Sequence, residues 1–249
     1  MSSKPAPAAS KRALRVGVGA FAFVLFFFGV AFAADAAIAT DFSLTERIIQ
    51  IFLTVTVLSL APGVAMMATS LPLIVIVMSI MRQGLGLQQA PPNMLIMSLS
   101  LFLTYFVMQP VVEDAWTTGV EPLLAHELNE EDAAKRIVAP FEKFMEARVA
   151  PGAINILAAA RDVEVDETEP PLALLAPAFI LSEIQRALQI GFVILLPFLI
   201  IDLVVASVLM SMGMMMVPPT IVSLPFKLAF FVLTNGWIAV SAALVRSYQ

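Results

Sequence analysis

The chain carries, near its C-terminus, the stretch Gln189-Ile-Gly-Phe-Val-Ile-Leu-Leu-Pro-Phe-Leu-Ile-Ile-Asp202-Leu-Val-Val-Ala-Ser-Val-Leu-Met210. Its one ionisable side chain is the carboxylate of Asp202. A helix needs roughly 20 apolar residues to cross the hydrocarbon core of a bilayer, and this stretch is long and apolar enough to do so. It therefore predicts a membrane helix.

The rest of the chain has the same character. Of its 249 residues, 60% are hydrophobic and 13% are charged, and the mean hydropathy is +0.93. A water-soluble domain needs far more polar surface than this. Runs without Asp, Glu, Lys or Arg occupy residues 16–34, 48–81, 83–112, 187–201, 203–226 and 228–245. These runs supply enough apolar length for about four crossings after the first segment.

Residue types exclude several classes of site. The chain has no cysteine, which removes a disulfide framework, a thiolate metal site and a cysteine nucleophile. A net charge of −5 without a basic stripe does not favour nucleic-acid binding. His126 is the only histidine and has no ordered carboxylates around it, so a surface role is favoured over metal binding. No metalloprotease or serine-nucleophile motif occurs, and we expect no enzyme activity and no cofactor.

The N-terminal segment has the parts of a secretory signal peptide. A basic start and an apolar middle lead to an Ala-x-Ala ending at Ala33. We expect cleavage between Ala33 and Ala34, and the alternative is an uncleaved first transmembrane helix. Cleavage would leave the mature N-terminus outside the cytoplasm, which sets the orientation of every later crossing.

The charge pattern divides the chain into four parts. These are a signal peptide (1–33), a first membrane helical hairpin (34–112), an acidic insert (113–176) and a second membrane helical hairpin with a methionine-rich loop (177–249). Between Glu113 and Pro170, fourteen acidic and five basic side chains give a net charge of −9. Counting crossings from an external N-terminus places this insert in the periplasm. The predicted fold is an all-α integral protein of the bacterial inner membrane, in which two helical hairpins flank an acidic extracytoplasmic helical insert.

Within the first hairpin, the run 48–81 would measure about 51 Å as one helix, more than the hydrocarbon core requires. Pro62-Gly63 and Pro72 interrupt it, so we expect a broken helix. Asn93 is a suitable N-cap for the helix predicted over 94–112.

The second hairpin is predicted as a helix over 183–210, a turn over 211–220 and a return helix over 221–245. At the entry of its first helix, Glu183 and Arg186 stand three residues apart. A cap and a local charge pair are a sufficient explanation for them.

Two groups of motifs carry a resemblance to a known family. The first comprises Phe52-Leu-Thr-Val-Thr-Val-Leu-Ser-Leu-Ala-Pro62, Met81-Arg-Gln83 and Gln88-Gln-Ala-Pro-Pro-Asn93. The second comprises Pro177-Ala-Phe-Ile-Leu-Ser-Glu183, Gln189-Ile-Gly-Phe192, Pro197-Phe-Leu-Ile-Ile-Asp202, Gly213-Met-Met-Met-Val-Pro-Pro219 and Leu224-Pro-Phe-Lys227. In order and spacing, these motifs resemble the FliP family.

The resemblance implies a core subunit of the flagellar type III protein-export gate, which forms part of the protein-conducting channel. It implies a homo-oligomer in membrane lipid at the flagellar basal body, with FliQ-like and FliR-like partners and unfolded polypeptides as cargo. The nearest alternative is the sister export-gate subunit of injectisomes, and the signal peptide favours the flagellar branch. A small-solute transporter also uses broken helices and buried charges, but the two halves of this chain match poorly as repeats.

Asp202 and Lys227 are lone opposite charges in neighbouring apolar runs. Charges at membrane depth are tolerated at least cost when they pair. We expect an interhelical or intersubunit pair that sets the register of a ring of subunits. The alternatives are that each side chain reaches the membrane interface separately, or that the two relay protons.

The turn Ser211-Met-Gly-Met-Met-Met-Val-Pro-Pro219 concentrates methionine at a loop tip. Thioether side chains are flexible and polarizable, so several together can form an adaptable apolar seal. The family resemblance implies such a gasket in the export channel, with Met214, Met215 and Met216 lining the pore gate. The alternative is that these methionines pack between helices as ordinary fillers.

Overall fold

The computed structural model describes residues 47–49, 51–52, 55–56, 59, 63, 66–87, 90–162, 170–214 and 216–248. The chain separates into two units, residues 1–65 and 66–249. The described positions of the first unit are helical. The cleavage predicted at Ala33 and Ala34 lies outside the described residues, as does Met215.

In the described part of residues 66–249, every regular element is a helix. The elements are α1 (Leu71–Gly84), α2 (Asn93–Ala115), a π-helical turn (Trp116–Val120), α3 (Glu121–Leu124), α4 (Glu130–Glu146), α5 (Ala153–Ala159), α6 (Leu172–Ser211), α7 (Pro219–Leu233) and α8 (Gly236–Arg246). The predicted all-α class is confirmed.

Helix α1 forms the centre of the larger core. Leu73, Ile74, Val77, Met78 and Met81 are all fully buried, and they pack against residues of α2, α6, α7 and α8. Their spacing follows the helical repeat of one wide apolar face. This short helix therefore holds the longer helices together.

The loop between α1 and α2 is fastened by a side chain instead of a helix cap. Pro92 occupies the N-cap position of α2, and the Asn93 side chain makes no capping hydrogen bond. Its Oδ1 instead accepts a hydrogen bond of 2.5 Å from Arg82 Nη1, which also donates to the Pro91 carbonyl. The predicted Asn93 cap is wrong because the arginine at the end of α1 competes for the amide oxygen.

Helix α2 passes the boundary predicted at residue 113 without a break. It runs through the π-helical turn into α3, so the insert begins as a continuation of a membrane helix. Gly119 of that turn lies against α4, where an added Cβ would come within 2.5 Å of Ile137 Cγ1. The absence of a side chain at Gly119 thus permits the close approach between the turn and the insert.

Helix α6 spans 40 residues and is longer than predicted, because it begins at Leu172 and not at Glu183. At 1.5 Å per residue it measures about 60 Å, roughly twice the hydrocarbon thickness of a bilayer. Gly191 lets α1 approach α6 closely, since an added Cβ would lie 2.5 Å from Ile80 Cδ1. The α1–α6 crossing thus depends on a glycine.

The return helix predicted over 221–245 is broken. Helices α7 and α8 meet at an angle of 59°. Asn235 between them has a left-handed φ of 50°, a conformation that asparagine tolerates better than most residues. In the described residues, Asn93–Leu124 and Leu172–Ser211 are long and apolar enough to cross a membrane, and the bent pair makes a third if it counts as one span.

Candidate functional site

The methionine turn joins α6 to α7 and is built on a tight helix ending. Gly213 has a left-handed φ of 77°. Its amide donates to the Met210 carbonyl, and the Met214 amide donates to the Leu209 carbonyl. These two bonds form a Schellman motif, in which glycine accepts the left-handed conformation without strain. The chain therefore leaves α6 abruptly and projects the residues that follow.

The described methionines of this turn face outward. Met216 is 98% exposed, and Met212 and Met214 are also exposed. Apolar side chains at a loop tip are unfavourable in water, so this arrangement suits a turn that another surface covers. The prediction that Met214 and Met216 line a gate stays a prediction, and Met215 lies outside the described residues.

Asp202 of α6 and Lys227 of α7 lie together. Lys227 Nζ is 2.6 Å from Asp202 Oδ2 and 3.2 Å from the Gly84 carbonyl at the end of α1. Ser223 Oγ donates to the other carboxylate oxygen, Asp202 Oδ1, at 2.5 Å. The ammonium and the carboxylate each have a second polar neighbour, which offsets the cost of removing both charges from water. The group connects α1, α6 and α7.

The two members of this pair differ in burial. Lys227 is 5% exposed, whereas the side chain of Asp202 is 29% exposed. Both line an open groove of about 900 Å³, together with Arg82 and apolar side chains of α6 and α7. The carboxylate therefore faces an open surface of the chain. Whether the pair sets the register of an assembly stays a prediction.

Sequence reasoning missed a second buried ionic group. Glu183 is fully buried, and its Oε1 lies 2.9 Å from Nε of Arg148, which follows α4 within the insert. Arg186 is more distant, with Nη1 at 3.9 Å, and its side chain is 41% exposed. The prediction that Glu183 pairs locally with Arg186 is therefore incomplete, because the closer partner of Glu183 is Arg148. Burial requires a cation that shares the dry site, and Arg148 supplies it.

A signal for this group was present in the helical spacing. Leu175, Phe179, Glu183 and Ala187 stand four residues apart and share one buried face of α6. A carboxylate on an apolar face calls for a buried partner. Spacing could not identify Arg148, because it lies 35 residues away on another element.

In the described residues, no group of three or more His, Cys, Asp or Glu side chains is arranged to hold a metal ion. His126 is exposed and follows α3 with a left-handed φ of 57°. The chemistry of the site therefore lies in ion pairs and exposed apolar side chains.

Comparison with known proteins shows the relationship of the whole chain. The model of the FliP family matches residues 54–244. The protein named flagellar biosynthetic protein FliP from Agrobacterium fabrum is 47% identical over 213 residues, which cover 84% of this chain and 87% of the relative. The protein of the same name from Caulobacter vibrioides is 45% identical, and the match covers 87% of this chain and 82% of the relative. The one from Bacillus subtilis is 41% identical, and the match covers 80% of this chain and 91% of the relative. With a family match that includes both ion-paired helices and the methionine turn, the chain belongs to the FliP family.

Proposed function

We propose that this chain is a core subunit of the flagellar type III export gate and forms part of its protein-conducting channel. The family match and the relatives named flagellar biosynthetic protein support a role in flagellar export. They do not favour an injectisome subunit or a small-solute transporter. The subunit acts as a structural and channel component without catalysis of its own.

The observation that carries the proposal is the outward-facing methionine turn. A constriction lined by apolar side chains holds back water and ions, because a narrow apolar channel dewets. Thioether chains bend aside for an unfolded polypeptide, since methionine is unbranched and flexible. Met214, Met215 and Met216 from several subunits would converge on one axis and seal the idle gate.

The exposed surface of α6 suits both homo-oligomerisation and assembly with FliQ-like and FliR-like subunits. Between residues 188 and 211 this helix presents large apolar side chains outward, among them Phe192, Leu203 and Val208. The exposed part, residues 188–211, measures about 36 Å, which is close to the thickness of the hydrocarbon core. Neighbouring subunits would cover the side of it that carries Asp202, because a carboxylate is costly against lipid.

A contact between the insert and the segment after α8 supports the proposed orientation. Arg148 of the insert donates to the carbonyl of Ser247, which is consistent with a shared side of the membrane for these two segments. Cleavage between Ala33 and Ala34 would make that side the periplasm. N-terminal sequencing of the membrane-derived protein tests this, and recovery of an intact Met1 would contradict it.

Replacement of Met214, Met215 and Met216 by Ala tests the gate. Passive permeability of the membrane to ions and small solutes should rise while the complex still assembles, because α6 and α7 keep their packing. The matched control replaces the exposed Met66 and Met67, which lie outside the turn, by Ala and should leave permeability unchanged. A triple variant that assembles and leaves the membrane as tight as wild type would show that these methionines are packing residues.

A further inference from the structure

The last turn of the chain folds back onto the insert. Nη1 of Arg148 donates to the Ser247 carbonyl at 2.9 Å, and the guanidinium carbon lies 3.7 Å from the centre of the Tyr248 ring. The Tyr248 hydroxyl donates to Oε2 of Glu183, while Arg148 holds Oε1. Both oxygens of one buried carboxylate are therefore occupied, one from the insert and one from the C-terminus.

An aromatic stack joins the same three segments. The ring of Phe144 in α4 lies parallel to that of Tyr248, with centroids 6.0 Å apart, and packs edge-on against Phe179 of α6 at 5.8 Å. Burial, followed by the charge of Glu183, raises the pKa of the Tyr248 phenol. The phenol thus stays protonated at neutral pH and keeps its role as a donor.

A hydrogen bond next to this stack reports whether the insert is docked on α6. The amide of Ala150 donates to Oγ of Ser182 at 2.9 Å, and this hydroxyl donates to the Ala178 carbonyl at 2.7 Å. Exchange of the Ala150 amide with solvent requires the segment between α4 and α5 to leave α6.

We propose that residues 247–248 form a C-terminal strap, which fastens α4 and the residues just after it to the first half of α6 and is anchored by Tyr248. Tyr248 contributes to both sets of contacts: its hydroxyl bonds to the Glu183 carboxylate, and its ring belongs to the aromatic stack. While the strap is closed, the insert and the second hairpin move as one body. The joint lies about 40 Å along α6 from the methionine turn, so it is separate from the proposed gate.

Hydrogen exchange on the full-length chain in detergent tests the strap. Tyr248→Phe keeps the ring and removes the hydroxyl, so the Ala150 amide should exchange roughly tenfold faster, because a hydrogen bond to a charged group is lost. Removal of residues 247–249 should accelerate this exchange further. The amide of Met78, in the core of α1, should be unaffected by either change. Arg246→Gln is the matched control on the same turn, and it should change neither amide.

Two results would overturn the strap. Unchanged protection of Ala150 after removal of residues 247–249 would show that the insert stays docked without it. Equal acceleration at Ala150 and Met78 would show that Tyr248 supports the whole fold and does not fasten one joint. Co-assembly with the other gate subunits is not part of this readout, so failure of the strap leaves the proposed export function standing.

Discussion

The two halves of α6 have similar apolar sequences and different surroundings. In residues 172–187, Phe179 is fully buried against Met145 of α4, beneath a layer that the insert supplies. In residues 188–211, Phe192 is 59% exposed, and most of its apolar neighbours are exposed as well. Hydropathy thus indicates which segments avoid water, but it does not indicate whether this chain, lipid or another protein covers them. One face of the first half is covered by this chain, and most of the second half is left for lipid or other proteins to cover.

The acids of the two halves differ in the same way. Glu183 has no exposed surface, and its partner comes from the insert. Asp202 remains 29% exposed beside an open groove, and its partner comes from the return helix α7. The first pair closes a joint within the subunit, whereas the second stands at a surface that another subunit can reach.

The sharpest test of the comparison replaces one phenylalanine in each half. Phe179→Ala should lower the free energy of unfolding by about 3–5 kcal/mol, because it leaves a cavity in a packed core. Phe192→Ala, the matched control, should cost less than about 1 kcal/mol in the solubilised monomer, since much of that ring is exposed. SDS titration of the detergent-solubilised chain measures both values. Equal losses would mean that the two halves are covered alike.

The second test concerns the ion pair of the second half of α6, Asp202 with Lys227. Lys227→Ala should cost about 3 kcal/mol of unfolding free energy, because the Asp202 carboxylate loses its cation and is only partly able to recover water. The midpoint temperature of thermal unfolding should fall, and the yield of the proposed oligomer should fall with it. Asp202→Lys combined with Lys227→Asp keeps opposite charges and should recover part of the loss.

The structure explains why this exchange of charges cannot recover everything. An aspartate at position 227 would face the Gly84 carbonyl, which is an acceptor and repels a carboxylate. A lysine at position 202 would lose the carboxylate's bond from Ser223. An exchanged variant less stable than Lys227→Ala would show that these neighbours matter more than the pair.

The length of the uncharged apolar runs was enough to predict an all-helical membrane chain, because run length is a property of local sequence. The joint at Glu183 could not be completed in this way, since its partners Arg148 and Tyr248 are 35 and 65 residues distant. The break at Asn235 was also hidden, because no proline marks it and its left-handed backbone is a single local conformation. The local sequence therefore predicts neither the partners of Glu183, which lie on distant segments, nor the helix break at Asn235.

A smaller effect is expected where α1 crosses α6. Gly191→Ala should cost about 1–3 kcal/mol, because the new methyl group meets the Ile80 side chain in a packed interface. Adding Ile80→Val removes Cδ1, the nearest atom, and should restore part of the stability. A double variant no more stable than Gly191→Ala alone would mean that the backbone, and not Ile80, limits this approach.

The smallest effect on the isolated chain is expected at the middle of the second half of α6. Leu203 is 68% exposed, so Leu203→Gln should change the free energy of unfolding of the solubilised monomer by less than about 0.5 kcal/mol. If the proposed FliQ-like and FliR-like subunits cover this face, co-purification with them should nevertheless fall, because the covered site would bury an amide without a hydrogen-bond partner. Leu203→Met keeps the apolar character and serves as the control. If Leu203→Gln unfolds the monomer, this face is covered within the subunit. If it leaves the monomer and the assembly intact, lipid headgroups or water cover the face, and the neighbouring subunits lie elsewhere.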